Sequence, residues 1–506
     1  MPPTRPPYSL GCHACRRMKV KCDEKKPQCG RCTKARRVCP GYRDTKQVVF
    51  RSMNAELASK AEAPRLPQAY AAIGTSSQAD PTVSTTLVTF TPRLLTQPSE
   101  KWDAKATSHF LHNYSLAPTR DSPGYLGFLP DLLGSSSSDI GYLESAVLAA
   151  GSASLANITG LTHLERTAEK HYGETLRSPS AALEDPTKAG SDAALTCIIV
   201  LQIYEAIIGI RSLSCDPHAK GLMELLRLRG TSRHSTGGGD DLLRIIHSRV
   251  HMNSVGGLFP SRIDAEYDAE AVDFPPHQAE LWRLIRATSE RCAKARGVIP
   301  ASGQGVFKSE VIKSLDHVLS SYLGLLHWQA AIPSSSSYQS YKPLALDGRG
   351  SQQEDFPGKY HVFKNIHHGA TWISFWCTLV YALQTLVHVS SLPVVQQVLG
   401  LSWEQSWDLK TRLRDSVDEI CACVPYMMAD VDQSGLPTIG KDGKALGSFI
   451  LLRGLYVAIC VEEIASVQRE YILRTLLRIA HIRGIKLALR PRNRWFSQHG
   501  SVERHC

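Results

Sequence analysis

The sequence predicts a mainly α-helical protein with a small N-terminal metal module, a linker and a large all-helical body. Three observations lead to this prediction. Six of the 14 cysteines lie between Cys12 and Cys39. Residues 1–46 hold 13 Lys or Arg against three Asp or Glu, and so carry almost all of the net charge of +11. Beyond residue 101, apolar side chains recur at three- and four-residue spacing, which is typical of helices that bury one face.

The N-terminus, residues 1–11, has two Pro-Pro pairs and no apolar run. We expect it to be disordered, and it lacks the hydrophobic stretch of a secretory signal peptide. The cysteines are therefore expected to be reduced thiols, among which a tight cluster favours a metal site over disulfides. A compact basic segment on a nearly neutral chain indicates a polyanion partner, with nucleic acid ahead of an anionic membrane surface.

The cysteines of the module repeat the spacing C-x2-C-x6-C twice, with six residues between the halves: Cys12, Cys15, Cys22, Cys29, Cys32 and Cys39. In each half two thiolates lie one helical turn apart, and the third follows as the chain returns. Two tetrahedral zinc ions need eight ligands, so six thiolates suffice if two of them bridge both ions. The spacing therefore predicts two structural zinc ions. A disulfide knot, a redox pair, a chance cluster and a zinc store are the alternatives, and the placement of the basic residues argues against a store.

Four cations lie on and just after the first short helix of the module: Arg16, Arg17, Lys19 and Lys21. A helix fits the major groove of DNA, where Lys and Arg donate hydrogen bonds to guanine O6 and N7. The second half carries cations that suit phosphate contacts better: Arg31, Lys34, Arg36 and Arg37. The basic residues therefore predict a DNA-binding surface. A solvated basic face and a nuclear import signal are the alternative interpretations.

Residues 11–43, GCHACRRMKVKCDEKKPQCGRCTKARRVCPGYR, resemble the binuclear zinc cluster of the fungal Zn2Cys6 transcription factors, with all six cysteines in register. The resemblance implies that Cys12 and Cys29 bridge the two zinc ions. It also implies that Lys19 reads a C-G-G triplet in the major groove, and that Pro27 shapes the loop between the halves. The residues that match the surrounding basic positions, which contact phosphates or neighbouring bases, are Arg16, Arg17 and Lys21.

Between the module and the body, residues 44–100 are predicted to form a short helix and a flexible linker. Four apolar residues mark one helical face ahead of Pro64: Phe50, Met53, Leu57 and Ala61. They span about two heptads, fewer than a coiled coil needs. The linker is rich in Ala, Ser, Thr and Pro. Many members of the family dimerise through a coiled coil at this place, so the sequence leaves monomer and homodimer open.

Residues 101–506 are predicted to form an all-helical body. The segments with a clear helical period are Ile140–Ala156, Leu161–Leu176, Ala193–Ile210, Ala219–Leu228, Gln278–Arg296, Ser309–Ala331, Ile366–Val389, Trp403–Val424, Gly447–Val467 and Tyr471–Leu489. This long helical body resembles the fungus-specific regulatory domain of one branch of the family. Polar residues interrupt the apolar stretches Ala193–Ile210 and Gly369–Leu386, which we interpret as buried core helices and not as membrane spans.

The sequence contains no His-Glu-x-x-His, G-x-S-x-G, P-loop or G-x-G-x-x-G motif, so it offers no recognisable catalytic site. We expect Cys421 and Cys423 to be small buried side chains on a helix, because free cysteine commonly packs as a hydrophobic residue. The histidines at 361, 367 and 368 could bind a metal, but no third type of ligand completes a recognisable spacing, so we expect them to be exposed polar residues. The aromatic residues of one apolar helix are expected to form core and not a ligand cage: Trp372, Phe375, Trp376 and Tyr381.

The sequence thus predicts a nuclear, sequence-specific DNA-binding transcription factor that is not an enzyme. Its DNA partner would contain C-G-G, and the helical body would regulate transcription of a metabolic or biosynthetic pathway. A small-molecule ligand or a co-regulator is a candidate partner for that body, and no membrane is expected. The rival interpretation is a metabolite-binding or enzymatic body that the zinc module only localises. Polar groups converging on one cavity within residues 101–506 would favour the rival.

Overall fold

The computed structural model describes residues 12–18, 20–23, 25, 28–37, 39–40, 102–119, 124–135, 140–177, 190–210, 218, 221–222, 225–226, 229, 239–255, 274–298, 308–342, 356–392, 395–396, 403–438 and 443–490. They belong to two compact units, Met1–Leu94 and Leu95–Cys506. The predictions for the N-terminus, for the short helix over residues 50–61 and for the linker lie outside the described residues. The predicted helix Ala219–Leu228 is described only in part.

The first unit contains two five-residue helices, α1 (His13–Arg17) and α2 (Gly30–Lys34). Each begins directly after the first cysteine of a half. The Sγ atoms of Cys12 and Cys29 accept hydrogen bonds from the backbone N–H groups three residues further on, at 3.4 Å and 3.3 Å. A side-chain acceptor at this position satisfies one of the N–H groups that a helix start leaves unpaired. The duplication seen in the sequence therefore extends to the local backbone.

The second unit consists mainly of helices. In chain order they are α3 (Trp102–Tyr114), α4 (Leu129–Leu133), α5 (Gly141–Thr159), α6 (Thr162–Arg177), α7 (Asp192–Ile208), α8 (Gly239–Ser254), α9 (Pro276–Val298), α10 (Lys308–Ala331), α11 (Ile366–Ser390), α12 (Trp403–Ala422), α13 (Val424–Met427), α14 (Ala445–Ile459) and α15 (Ser466–Ile482). Short 3-10 helices cover Ser334–Ser336 and Lys486–Leu489. The predicted fold class, mainly α with a small N-terminal cluster, is confirmed.

One hydrophobic core lies among α3, α5, α6 and α7 and extends to α8. Phe110, Leu143 and Ile199 are fully buried in it. Two of its helices approach closely where Gly151 of α5 meets the backbone of α3. A Cβ at position 151 would lie 2.1 Å from the carbonyl oxygen of Ala106, so only glycine allows this distance between the two backbones.

The second core surrounds α11, which packs against α9, α10, α12 and α14. The four aromatic residues predicted to be core are buried in it: Trp372, Phe375, Trp376 and Tyr381. Among the described helices, α11 is the one with the length and composition of a membrane span, and 89% of its apolar window is buried inside the protein. That burial against other helices is what we expect of a core helix.

The C-terminal segment returns to the first helices of the second unit. Lys444 Nζ donates hydrogen bonds to the carbonyl oxygens of His112 and Ser115, at 2.6 Å and 3.0 Å. Asn157 Nδ2 donates to the carbonyl oxygen of Gly484 at 2.7 Å. Helices α3 and α5 and the later segment over residues 444–484 are therefore parts of one packed structure.

Two helix ends differ from the prediction. Gly447–Val467 was expected to be one helix, but α14 ends at Ile459 and α15 begins at Ser466. The Gln468 side chain accepts the backbone N–H of Ala465 at 2.8 Å and so caps the new helix start. The predicted helix Tyr471–Leu489 is also interrupted, because Gly484 has a φ of 67°, a left-handed conformation that ends helices.

Several elements, including helices α3 and α4, were not among the segments predicted from the sequence. Strands β1 (Gln339–Tyr341) and β2 (Tyr360–Val362) form an antiparallel pair in which Gln339 lies opposite Val362. Three residues are too few to produce a detectable period-two pattern. Helix α8 was also missed, because its segment follows a glycine run that resembled a loop.

Candidate metal centre and nucleic-acid interface

Four cysteines form a buried group in which all Sγ atoms lie within 4.8 Å of one another: Cys12, Cys15, Cys29 and Cys32. Cys12 Sγ lies 3.6 Å from Cys29 Sγ and 3.8 Å from Cys32 Sγ. The ligands of a tetrahedral zinc ion with Zn–S bonds of about 2.3 Å are separated by about 3.8 Å. Disulfide sulfurs would lie at about 2.05 Å. The donor set and its spacing therefore fit zinc.

Cys12 and Cys29 occupy the middle of this group. Each contacts the other, and each also contacts the second cysteine of the opposite half. Cys12 Sγ lies 3.8 Å from Cys32 Sγ, and Cys29 Sγ lies 3.8 Å from Cys15 Sγ. A sulfur within reach of both halves is geometrically suited to share two metal ions.

The remaining two cysteines lie at the border of the group. Cys22 Sγ accepts the backbone N–H of Cys12 at 3.4 Å. Its sulfur, a carboxylate oxygen of Asp23 and the sulfur of Cys29 lie within 4.8 Å of one another. Cys39 is buried with the other cysteines and is 9% exposed. All six predicted metal ligands therefore belong to one cluster, although the structure joins only four of them in a single close group.

The electrostatics of the cluster favour a bound cation. Burial and the hydrogen bond to Cys12 raise the pKa of the Cys15 thiol to about 12. Closely packed thiols resist ionisation because each new thiolate would face its neighbours without compensation. Zn²⁺ supplies that compensation and converts thiols to thiolates. Two zinc ions are therefore the cofactors of this module, and they have a structural role, since four thiolate ligands leave no open coordination position for catalysis.

Asp23 connects the two halves of the module. Its Oδ2 atom accepts the backbone N–H of Gly30, the first residue of α2, at 2.9 Å. A Cβ at position 30 would lie 2.5 Å from this oxygen, so the contact depends on glycine. The sequence analysis missed this pair. The available signal was an acidic residue directly after the third cysteine and a glycine directly after the fourth.

The predicted DNA-contacting residues are described to different extents. Arg16 and Arg17 lie in the last turn of α1, and their side chains lie outside the described part of the structure. Lys19 lies outside the described residues, as does Pro27. Lys21 is exposed. The four cations of the second half are also exposed: Arg31, Lys34, Arg36 and Arg37. Both halves therefore offer positive charge to solvent beside the sulfur cluster.

In the second unit, Cys421 and Cys423 are fully buried, as predicted. Burial raises the pKa of both thiols well above their ordinary value. A thiol that stays protonated at neutral pH is a poor nucleophile. The pair therefore acts as packing in the core around α11.

The prediction that the histidines at 361, 367 and 368 are exposed is wrong. His361 is fully buried on β2, and the other two are half-buried. His361 Nε2 lies 2.6 Å from an oxygen of Glu419 in α12, and its Nδ1 lies 3.0 Å from Ser340 Oγ in β1. Lys359 Nζ contacts the other oxygen of Glu419 at 2.5 Å. These contacts attach the pair of β-strands to α12. The sequence did not predict that His361 would be buried, because its partner Glu419 lies 58 residues away.

Comparison with known proteins agrees with this geometry. Residues 10–48 match the fungal Zn(2)-Cys(6) binuclear cluster domain, and residues 107–254 match the fungal specific transcription factor domain. Over 40 residues the chain is 52% identical to the transcriptional regulatory protein moc3 of Schizosaccharomyces pombe. That alignment covers 8% of this chain and 8% of the relative. No solved structure matches the chain significantly.

Proposed function

We propose that this chain, which carries a fungal Zn2Cys6 binuclear cluster domain and a fungal specific transcription factor domain, is a transcription regulator that binds DNA through its first unit. One observation carries the proposal. A buried four-sulfur group with the spacing of zinc ligands joins two short helices that lie beside exposed cations. A metal module of this size presents a helix rigidly, which is what reading a DNA groove requires.

The six cysteines of the module are the proposed zinc ligands, with Cys12 and Cys29 as the bridging pair. The support for this pair is its central position, since each of the two sulfurs contacts the other and one cysteine of the opposite half. Both sulfurs also accept a backbone N–H at a helix start. Such hydrogen bonds stabilise the negative charge of a thiolate ligand.

The proposed DNA contacts come from the first half of the module. Lys19 would read guanine in a C-G-G triplet, and its neighbours Arg16, Arg17 and Lys21 would contact phosphates or adjacent bases. Their order along α1 and the turn after it supports this division, because a short helix directs only a few side chains to base edges. Phosphate contacts release counterions, so the affinity should fall steeply with salt concentration.

The second unit is proposed to regulate the output of the first. In this view residues 12–43 bind DNA, residues 44–100 link the units, and residues 101–506 form the regulatory body. The protein would act in the nucleus on promoters of a metabolic or biosynthetic pathway, as a monomer or a homodimer, and not as an enzyme. The matched transcription factor domain supports a regulatory role for part of this body.

The deciding experiment is selection of bound duplexes from a random pool by the zinc-loaded full-length protein at near-physiological salt. We expect enrichment of C-G-G. One triplet would indicate a monomer, and two triplets at fixed spacing would indicate a homodimer. Enrichment that persists after zinc removal, or no enrichment by a protein that retains two zinc ions, would contradict the proposal.

Lys19→Ala tests the proposed base contact. It should weaken binding to C-G-G duplexes more than binding to scrambled duplexes, because a base contact discriminates among sequences and a phosphate contact does not. The expected loss of discrimination is about 1–3 kcal/mol. Lys25→Ala is the matched control, since Lys25 is exposed and lies outside α1. Equal losses on both duplexes would assign Lys19 to the phosphates.

A further inference from the structure

A cavity of about 190 Å³ lies inside the second unit, between α8, α9, α11 and α14. Its walls are mostly apolar and include Ile245, Met252, Phe274, Ile373 and Phe449. An apolar cavity of about 150 Å³ accepts benzene. This cavity therefore has room for an aromatic ring or a short aliphatic chain together with a small head group.

Three arginines line the cavity, Arg244, Arg249 and Arg453, and Arg244 is paired with Asp241 at 2.9 Å. Among the described residues that line it there is no Asp or Glu. Arg249 donates from Nη1 to Gln202 Oε1 and from Nη2 to Tyr125 OH, both at 2.6 Å, and its guanidinium lies 5.3 Å from the centre of the Phe449 ring. These partners are neutral, so they orient the Arg249 cation without cancelling its charge.

Trp282 adds a hydrogen-bond donor. Its side chain lines the cavity and is 4% exposed, and its indole N–H has no hydrogen-bond partner among the described residues. Buried donors in folded proteins are nearly always paired. An acceptor atom bound in the cavity would supply the missing partner. The cavity thus combines apolar walls, a cation with neutral partners and an unused donor.

We propose that this cavity binds a small amphipathic anion, with an aromatic or short aliphatic body and a single carboxylate. The apolar walls would cover the body, and the carboxylate would accept hydrogen bonds from Arg249 and the Trp282 indole. A cationic ligand would meet the Arg249 charge, and no carboxylate of the described lining would compensate it. Binding here goes beyond the DNA-binding role proposed above and does not depend on it, so failure of one leaves the other intact.

The test is calorimetric titration of the zinc-loaded full-length protein with three probes that share one body: 3-phenylpropionate, 3-phenylpropanamide and 3-phenylpropylamine. A hydrogen bond to a charged group is worth about a factor of ten or more in affinity. We expect the carboxylate to bind at least tenfold more tightly than the amide, and the amine to bind more weakly than both. Equal affinities for the three probes, or no binding of any of them, would overturn the proposal.

Two variants locate the anion. Arg249→Met should lower the affinity for the carboxylate about tenfold and change the affinity for the amide much less. Arg474→Met is the matched control, because Arg474 lies on α15 with its side chain 69% exposed and away from the cavity. If Arg249→Met disturbs folding, as judged by circular dichroism, then Trp282→Phe decides. It keeps an aromatic ring but removes the donor, and unchanged affinity in that variant would refute the assignment.

Discussion

Mild acid should destabilise the second unit, because α8 buries a pair of histidines one helical turn apart. The Nε2 atoms of His247 and His251 lie 3.0 Å from each other. The side chains are 0% and 4% exposed. Burial lowers the pKa of His247 to about 2 and that of His251 to about 4, and the charge of Arg286 contributes to both shifts. At pH 5 both histidines are therefore neutral in the folded protein.

The unfolded chain takes up these protons more readily. Its histidines titrate near the ordinary value of 6.5, so protons favour the unfolded state below that pH. A base whose pKa is lowered on folding contributes stability that is present above pH 6.5 and is lost as the pH falls towards the folded value. For His251, a change from pH 7 to pH 5 removes about 2 kcal/mol of the free energy of unfolding, at about 1.4 kcal/mol for each pH unit below 6.5.

The measurement is urea unfolding of the full-length protein at pH 7 and pH 5, followed by tryptophan fluorescence of the second unit. The loss of stability between these pH values should be about 2 kcal/mol smaller in His251→Met than in the wild type. His388→Gln is the matched control, because His388 is exposed near the end of α11, and it should lose as much as the wild type. Equal losses in His251→Met and the wild type would refute the role of the buried pair.

Three further predictions concern the zinc cluster, one helix contact and the pair of β-strands. Removal of zinc by a chelator should abolish DNA binding and leave the thermal transition of the second unit unchanged, because the cysteines of the cluster belong to the first compact unit and not to the second; calorimetry with and without chelator measures this. Gly151→Ala should cost about 1–3 kcal/mol of unfolding free energy, since it overpacks the contact of α5 with Ala106, whereas Gly141→Ala, where nothing lies within 4 Å of the new Cβ, should not destabilise. For Glu419, burial raises the pKa, but the hydrogen bonds from His361 and Lys359 outweigh burial and lower it below 4.5. The contacts of ionised Glu419 should therefore stabilise the wild type above pH 4.5, and this stabilisation should be lost as the pH falls through the folded pKa. Glu419→Gln should be less stable than the wild type at neutral pH and should lack this pH-dependent loss of stability. Urea midpoints of both proteins from pH 7 to pH 3 would show the difference.

Much of the fold was predictable because its determinants are local. The spacing of the six cysteines is set by ligand geometry over 28 residues, so the metal module could be recognised directly. The long helices were predicted from the three- and four-residue spacing of their buried faces. The interruption before α15 was missed because it depends on one side chain, Gln468, which caps a helix start within an otherwise apolar segment.

What was missed depends on partners far apart in the chain. Buried His361 contacts Glu419, and neither residue alone predicts this contact. The cavity is assembled from four helices, so the approach of Arg249, Trp282 and Phe449 required the tertiary structure. The Asp23–Gly30 contact is nearer in sequence, but it needs the turn between the two halves to be formed.

The hydrogen bonds of Lys444 and Asn157 also limit how early the second unit can complete its folding during synthesis. They join residues more than 300 positions apart, so the first helices of the second unit lack these partners until the last 60 or so residues have left the ribosome. The zinc module is made first, and its proposed ligands end at Cys39. During translation the chain thus carries a completed metal domain ahead of an unfinished body, and a nascent chain that stops near residue 440 would expose the apolar surface on which α14 normally packs.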